Sequence, residues 1–513
     1  MTPADFPVSR ATGPDTVRLE LQPLGRVLTV ERGAALQDVL FAQGVEFPCG
    51  GRGRCQGCRV KVLTGALPIT AEMRRLFTNS ELAQGWRLAC QCQADGDLNL
   101  ELAQWEAAIL SDESAFAFTP QEGLGVAVDL GSTTLVAQLL DLRTGNVLGV
   151  RTALNGQARH GADIMSRIEF ATIGGEAALR EIIRSEIGAM VGELLIAAGR
   201  AAAELRKVIL VGNTVMHHLF CGVSVVPLAC VPFESQDDGL KIFAAPQLGW
   251  DLPPSVCVRF LPCLGSFVGS DILAGILATR LHESDALVAL VDLGTNGEMV
   301  VGRRGQLVCA STAAGPAFEG ARIAMGMRAA TGAISRVTLT GGRLECHVLG
   351  HVAPRGLCGS GLVDAVAAGL DAGWIRPNGR LAQGERLLLA EPVALTQGDI
   401  RELQLAKRAI AAGLRLLAQQ LGERVEDITQ LHLAGAFGNY ISRASAQRIG
   451  LLPFGPEKVR PAGNTALLGA KMALFHPAED GAYANLRAQI RHVPLSADPV
   501  FEESFVEEML FPV

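Results

Sequence analysis

The chain has 513 residues, more than one ordinary domain holds, so two to four domains are expected. Apolar residues make up 49% and charged residues 19%, which supplies ample core and excludes a largely disordered chain. With 52 acidic against 45 basic residues, a net charge of −7 and 5% aromatics, the composition argues against nucleic acid as a partner. No apolar run reaches the roughly 18 residues a membrane helix needs. The most apolar stretch, Leu219 to Phe233, is broken by Pro227 and Pro232, so no membrane span is expected. The opening residues MTPADFPVSRATGPD lack the apolar core of a signal peptide, which predicts a cytoplasmic location and reduced thiols.

Residues 1–101 are expected to form the first domain, β-rich from residue 16 onward. Val17 to Leu21 alternates apolar and polar residues, and Arg26 to Val30 continues the alternation after a turn through Pro23 and Gly25, as in a hairpin. Ala34 to Gln43 has helical spacing with Gly44 as a stop, and Arg59 to Leu63 reads as a further strand. Between them, Cys49, Cys55, Cys58 and the later Cys90 spell C-x5-C-x2-C-x31-C. Four thiolates, three on one loop, suit a 2Fe–2S cluster. A structural zinc site is the weaker reading, because zinc ligands usually come as paired short knuckles. The loop resembles that of adrenodoxin-type ferredoxins, one residue longer than the plant type. Spacing alone does not choose between Cys90 and Cys92, since alternation along a strand would send both to one face. The family context, Arg87-Leu-Ala-Cys-Gln91, favours Cys90.

Residues 102–122 show no period and read as a linker. From Gly123 strand-like runs alternate with long helices, the clearest from Glu176 to about Arg200, which signals an α/β domain. Val126-Ala-Val-Asp-Leu-Gly-Ser-Thr-Thr134 recurs as Ala289-Leu-Val-Asp-Leu-Gly-Thr-Asn-Gly297, with the two aspartates 163 residues apart. Two copies predict two similar lobes, 123–285 and 286–475, followed by a C-terminal extension at 476–513. In such turns the glycines, Gly131 and Gly294, let backbone amides approach phosphate. Ser132, Thr133, Thr134, Thr295 and Asn296 offer donors, and Asp129 and Asp292 can hold hydrated Mg²⁺. Neither a Walker A loop nor a Rossmann glycine fingerprint is present.

Further segments resemble the sugar kinase, Hsp70 and actin (ASKHA) superfamily. Leu431-His-Leu-Ala-Gly-Ala-Phe-Gly438 looks like its adenosine-holding strand and turn, which puts Gly435, Ala436, Phe437 and Gly438 against ATP. Gly463 to Ala470 is similar to the helix that crosses between lobes, and Ala314 to Gly320 to the Hsp70 Gly-Gly-x-x-Phe-Asp segment. Gln404 and Lys407 resemble the adenine-flanking helix. The resemblance leaves the water-orienting group open between Asp292 and Glu319.

A cluster domain ahead of this ATPase resembles the reductive activators of corrinoid proteins. Gly161 to Ile168, Val211 to His218, Leu261 to Gly269, Gly356 to Leu362 and Leu395 to Leu403 look like signatures of that family. The resemblance implies a β-grasp ferredoxin-like domain, then a two-lobed RNase H-like ATPase. It also implies an ATP-dependent electron transfer from the cluster to the corrinoid protein of a methyltransferase system, restoring Co(I) from Co(II). A low-potential electron donor is implied as the other partner, and a homodimer is left open. The competing readings are an ATP-driven donor to a non-corrinoid enzyme, a nucleotide-switched binding protein and a small-molecule kinase. No cysteine follows Cys358, which removes the tetracysteine array of the activators that carry a 4Fe–4S cluster. His217-His218 and the scattered cysteines read as core residues, and Cys358-Gly-Ser-Gly361 as either an anion-binding helix start or close packing.

Overall fold

The computed structural model describes residues 16–22, 26–41, 43, 45, 51, 53, 56, 58–102, 114, 116–161, 163–294, 296–320, 322–476, 481–495 and 498–513. The chain divides into two compact units, Met1–Trp105 and Glu106–Val513.

The first unit is built on a five-stranded sheet in the order Arg26–Glu31, Thr16–Gln22, Leu98–Leu102, Arg59–Thr64, Trp86–Leu88. Thr16–Gln22 pairs antiparallel with Arg26–Glu31 and parallel with Leu98–Leu102, the mixed arrangement of a β-grasp. Its alternation puts Val17, Leu19 and Leu21 inward, where the helix Leu36–Phe41 adds Leu36 and Leu40. That helix is shorter than its sequence period predicts. Ala34–Ala35 is drawn off as a two-residue strand paired with Gln93–Ala94.

The second unit holds two six-stranded sheets. The first runs Val147–Leu154, Thr134–Asp141, Leu124–Leu130, Leu205–Val211, Cys257–Phe260, Lys241–Ala244. The second runs Val459–Gly463, Gln430–Ala434, Val288–Leu293, Gly297–Arg303, Gln306–Thr312, Ile490–His492. In both, the strand carrying the Asp-x-Gly turn has an antiparallel hairpin partner on one side and a parallel strand on the other. Asp129 lies opposite Val211, and Asp292 opposite Ala434. The repeat in sequence is thus a repeat of topology and register.

Leu124–Leu130 does not alternate, because both of its faces are covered. On one side Val126 and Val128 pack with Ile183, Ile187 and Val191 of the helix Glu176–Ala197. On the other, Ala127 joins a core containing Leu290 and Val300 of the second sheet. The helices Ser270–Thr279 and Thr465–Phe475 contribute Ile272, Ile276, Leu467 and Leu474 to this same core. Each such side chain, fully buried, contributes about 2 kcal/mol. The two helices cross closely because Gly469 has no side chain. A Cβ there would come within 2.2 Å of the Ala274 carbonyl oxygen.

The C-terminal residues complete the second sheet with Ile490–His492. They then lay the helix Pro499–Glu507 along Gln397–Gln419 and bury Phe511 in the second-lobe core. Phe116 and Phe118, from the stretch expected to be a linker, pack on Phe475, with ring centroids 5.5 and 4.4 Å away.

Candidate functional site

A cavity of about 260 Å³ opens where the two Asp turns face each other. Asp129, Gly131, Ser132, Thr133 and Thr134 line it from the first turn, and Asp292, Gly294 and Asn296 from the second. Thr295 lies outside the described residues. Gly435 and Phe437 border the same space, as does Glu319 at the end of the short helical turn Pro316–Glu319. Gly435 adopts φ +85°, and a Cβ there would sit 2.6 Å from Asp292 Oδ1. Only glycine lets this turn approach the carboxylate so closely. Two segments far apart in sequence meet at the cavity wall, where the rings of Phe318 and Phe437 stack with centroids 4.7 Å apart.

Besides Glu319, four carboxylates face the cavity. Burial pushes Asp129 up to about 6, against the pull of Asn464 Nδ2, which donates to its Oδ2 at 2.8 Å. Burial and then repulsion from Asp129 raise Asp292 to about 7. Asp271, in the first turn of Ser270–Thr279, is pushed up to about 8 by burial and by Asp292. Glu298 is raised well above the usual carboxylate range by burial, then by Asp271 and Asp292. Burial and mutual repulsion thus favour the protonated forms of Asp271 and Glu298 and bring Asp129 and Asp292 close to neutral titration, where an entering cation favours their charged forms. Among the described residues no three His, Cys, Asp or Glu side chains come together to chelate a bare ion. The carboxylate oxygens of Asp129 and Asp292, beside hydroxyl and amide donors, suit the chemistry of a hydrated divalent cation that also takes phosphate oxygens.

The first turn is held from behind. Asn155 Nδ2 donates to the Gly131 carbonyl and the Asn155 amide to that of Thr133, both at 2.9 Å. Asn213 Nδ2 donates to Ser132 Oγ at 2.8 Å.

Gln404 and Lys407, expected to flank the adenine, are not among the residues lining this cavity. Both are buried beneath the C-terminal residues. Gln404 Nε2 donates to the Met509 carbonyl at 2.7 Å; Lys407 Nζ donates to that of Leu510 at 2.8 Å and pairs with Glu508 at 3.3 Å. The returning chain thus covers both side chains.

Sequence reasoning missed Asp271, Glu298, Asn213 and Asn464 as site residues. Glu298 carried a usable signal, being the lone charged residue in the buried run 297–302 of the strand Gly297–Arg303. Asn213 and Asn464 are N-caps of the helices Thr214–Cys221 and Thr465–Phe475, and each also bonds the phosphate turn or its aspartate.

In the first unit, Cys58 is buried and Cys90 half-buried, while Cys49 and Cys55 lie outside the described residues. Gln91 Nε2 donates to Gly51 O at 3.1 Å and reaches Cys90 Sγ at 3.6 Å, which ties Cys90 to the cysteine loop. The expected strand around Cys90 is instead the tight turn Ala89–Gln91, so Cys90 and Cys92 are not related by simple alternation. Cys92 faces the core, where burial pushes its thiol up to about 12. The Gln91 contacts, which join Cys90 to the loop of the other cysteines, favour the set that contains Cys90. The paired His217 and His218 are buried, and burial lowers them to about 3 and 4, so both are neutral core residues.

Comparison with known proteins accords with this geometry. Residues 286–513 match the C-terminal ASKHA domain of RACo, residues 124–284 the RACo middle region, and residues 19–95 the 2Fe–2S iron–sulfur cluster binding domain. The corrinoid activation enzyme RamQ of Eubacterium limosum is 34% identical over 421 residues, 75% of this chain and 70% of that protein. The Co(II) methylated amine-specific corrinoid protein reductase of Methanosarcina barkeri is 26% identical over 420 residues, 75% of this chain and 77% of that protein. A solved structure of a reductive activator for corrinoid, iron–sulfur protein superposes with a TM-score of 0.68 at 26% identity. That match covers 97% of this chain and 98% of the other. With a β-grasp 2Fe–2S domain ahead of a two-lobed ASKHA unit, the chain belongs to the RACo family of corrinoid activators.

Proposed function

We propose that the protein is an ATP-dependent reductive activator that passes one electron from a 2Fe–2S cluster to a corrinoid protein, restoring Co(I) from Co(II). The observation that carries this reading is the presence, on one chain, of a 2Fe–2S domain and an acid-lined cleft between two Asp-x-Gly turns. The relatives' activities point to the same substrate class. Residues 1–101 would form the cluster domain, 102–122 the connection, 123–285 and 286–475 the two lobes, and 476–513 the extension. Cys49, Cys55, Cys58 and Cys90 would hold the cluster, which supplies a one-electron store when bound. A cytoplasmic location fits a chain in which no helix among the described residues is long and apolar enough to cross a membrane and whose cluster needs reduced thiols.

Asp129 and Asp292 would hold Mg²⁺, whose charge offsets the phosphates. Asn464 keeps Asp129 oriented, and Ser132, Thr133, Thr295 and Asn296 donate to phosphate oxygens. Gly435 to Gly438 and Phe437 face the adenosine. Asp292 or Glu319 orients the attacking water, and Asp271, whose basicity burial raises, lines the same cavity as a further acceptor for its proton. Hydrolysis supplies the driving force because each 59 mV of unfavourable one-electron potential costs about tenfold in equilibrium constant.

The test is spectroscopic. Holoprotein, a corrinoid protein of a methyltransferase system and a low-potential reductant are combined without oxygen, and the Co(II) spectrum is followed. It should be lost only when ATP is added. A form beginning near Ser114, which keeps Phe116 and Phe118 on Phe475, should hydrolyse ATP but leave Co(II) unchanged. Equal formation of Co(I) without ATP would defeat the proposal.

A further inference from the structure

Arg167 lies in the Gly161–Ile168 segment, yet nothing in the nucleotide reading uses it. It is fully buried, on the helix Ile164–Phe170, directly behind the first phosphate turn. Its Nη2 donates to the Ser132 carbonyl, its Nε to the Gly161 carbonyl at 2.9 Å, and its Nη1 to Gln157 Oε1 at 3.2 Å. Gln157 is itself fixed by donating to the Leu179 carbonyl at 2.9 Å. The guanidinium is therefore held at three corners, one of them the turn.

Two consequences follow. A trans peptide is planar, with its C=O and N–H antiparallel. Asn155 holds the Gly131 carbonyl and Arg167 the Ser132 carbonyl behind the turn, so the N–H groups of Ser132 and Thr133 point the other way. Both residues line the cavity on that side. The second consequence is electrostatic. Arg167 makes no ion pair with a carboxylate among the described residues. Asp163 and Glu186 favour its charge only through space, because each is committed to a backbone amide, Asp163 to Ser166 at 2.8 Å and Glu186 to Gly156 at 3.0 Å. A buried cation that spends its donors on neutral acceptors leaves its positive field for an anion beyond the turn.

We infer that Arg167 is the positioning residue of the phosphate site: it aims the Ser132–Thr133 amides into the cleft and supplies fixed positive charge to the nucleotide phosphates without touching them. This rests on the reading of the cleft as a nucleotide site. It deepens that reading by naming the fixed positive charge that the first lobe brings to the phosphates.

The test is calorimetric binding of adenosine, ADP and a non-hydrolysable ATP analogue, with Mg²⁺, to the intact protein and to Arg167→Lys, Arg167→Met and Gln157→Leu. Arg167→Met should weaken ADP and the analogue by about tenfold or more, as loss of a fixed charge and of the hold on the Ser132 carbonyl behind the turn implies, and leave adenosine within about twofold. Arg167→Lys should recover part of the loss, because it keeps the charge but not the fork. Gln157→Leu leaves the guanidinium in place with one corner free and should cost about threefold for ADP and nothing for adenosine. It decides the matter if the Arg167 variants do not fold. A purely structural Arg167 would weaken all three ligands by one factor, which overturns the inference, as does unchanged ADP binding in every variant. Failure of the parent protein to bind ADP would instead remove the nucleotide reading itself.

Discussion

Replacing Asp292 by Asn should stabilise the metal-free protein while removing its ATPase activity, because the carboxylate is held in the cleft against its own electrostatics. Burial and Asp129 raise it from 3.8 to about 7 in the folded protein. Below pH 3.8 the group is protonated whether the chain is folded or not, and it costs nothing. Between pH 3.8 and 7 the unfolded chain releases the proton and the folded one retains it, so stability falls steadily and levels off above about pH 7. The full shift corresponds to about 4 kcal/mol. Water reaches the cleft and weakens the effect, so about 1–2 kcal/mol is expected. Asparagine keeps the shape without the charge and also relieves Asp271 and Glu298, both raised by Asp292. The assay is the thermal midpoint of the Glu106–Val513 unit, with chelator, from pH 5 to 8.5. The variant's advantage should grow from pH 5 to 7 and then stay flat. Mg²⁺ with ADP should raise the parent's midpoint, by about 2.7 kcal/mol of stability at a hundredfold excess over Kd, and leave the variant nearly unmoved. A variant less stable than the parent at pH 8, or an advantage that does not change with pH, would refute the electrostatic account.

Three further outcomes are expected. Cys90→Ala should lose the 2Fe–2S absorption and iron, whereas Cys92→Ala should keep both, since Cys92 faces the core; the reverse pattern would exchange the two as ligand. Gly469→Ala should destabilise the two-lobed unit by about 3 kcal/mol despite alanine's higher helix propensity, because its Cβ meets the Ala274 carbonyl oxygen; a neutral or raised thermal midpoint would show that the helices can part cheaply. Phe511→Ala should cost about 3–4 kcal/mol by emptying a buried site, with ATP affinity unchanged. A selective loss of ATP affinity there would return Gln404 and Lys407 to the nucleotide site.

The division of information follows the range of the interactions. The Asp-x-Gly turns, the alternating strand at Val17–Leu21 and the four-cysteine spacing are local, set by backbone sterics and by which side chains ligate what, so they stood legible in the linear chain. The pairing of the two turns across one cavity was also legible, because the sequence repeats. Residues whose roles depend on what returns to cover them were not. Gln404 and Lys407 occupy positions that suit an adenine, yet Glu508, Met509 and Leu510 come back over a hundred residues later and take their hydrogen bonds. Phe116 and Phe118 look like linker until Phe475 is placed beside them. Asp271, Asn464 and Arg167 become functional candidates only once three separate elements converge on the turns. Sequence alone determined which chemical groups this protein possesses and the two domain types that carry them. Tertiary structure decided which carboxylates share a cleft, which cysteine the Gln91 side chain reaches and which cation stands behind the first Asp-x-Gly turn, because burial and through-space charge exist only after distant segments have packed.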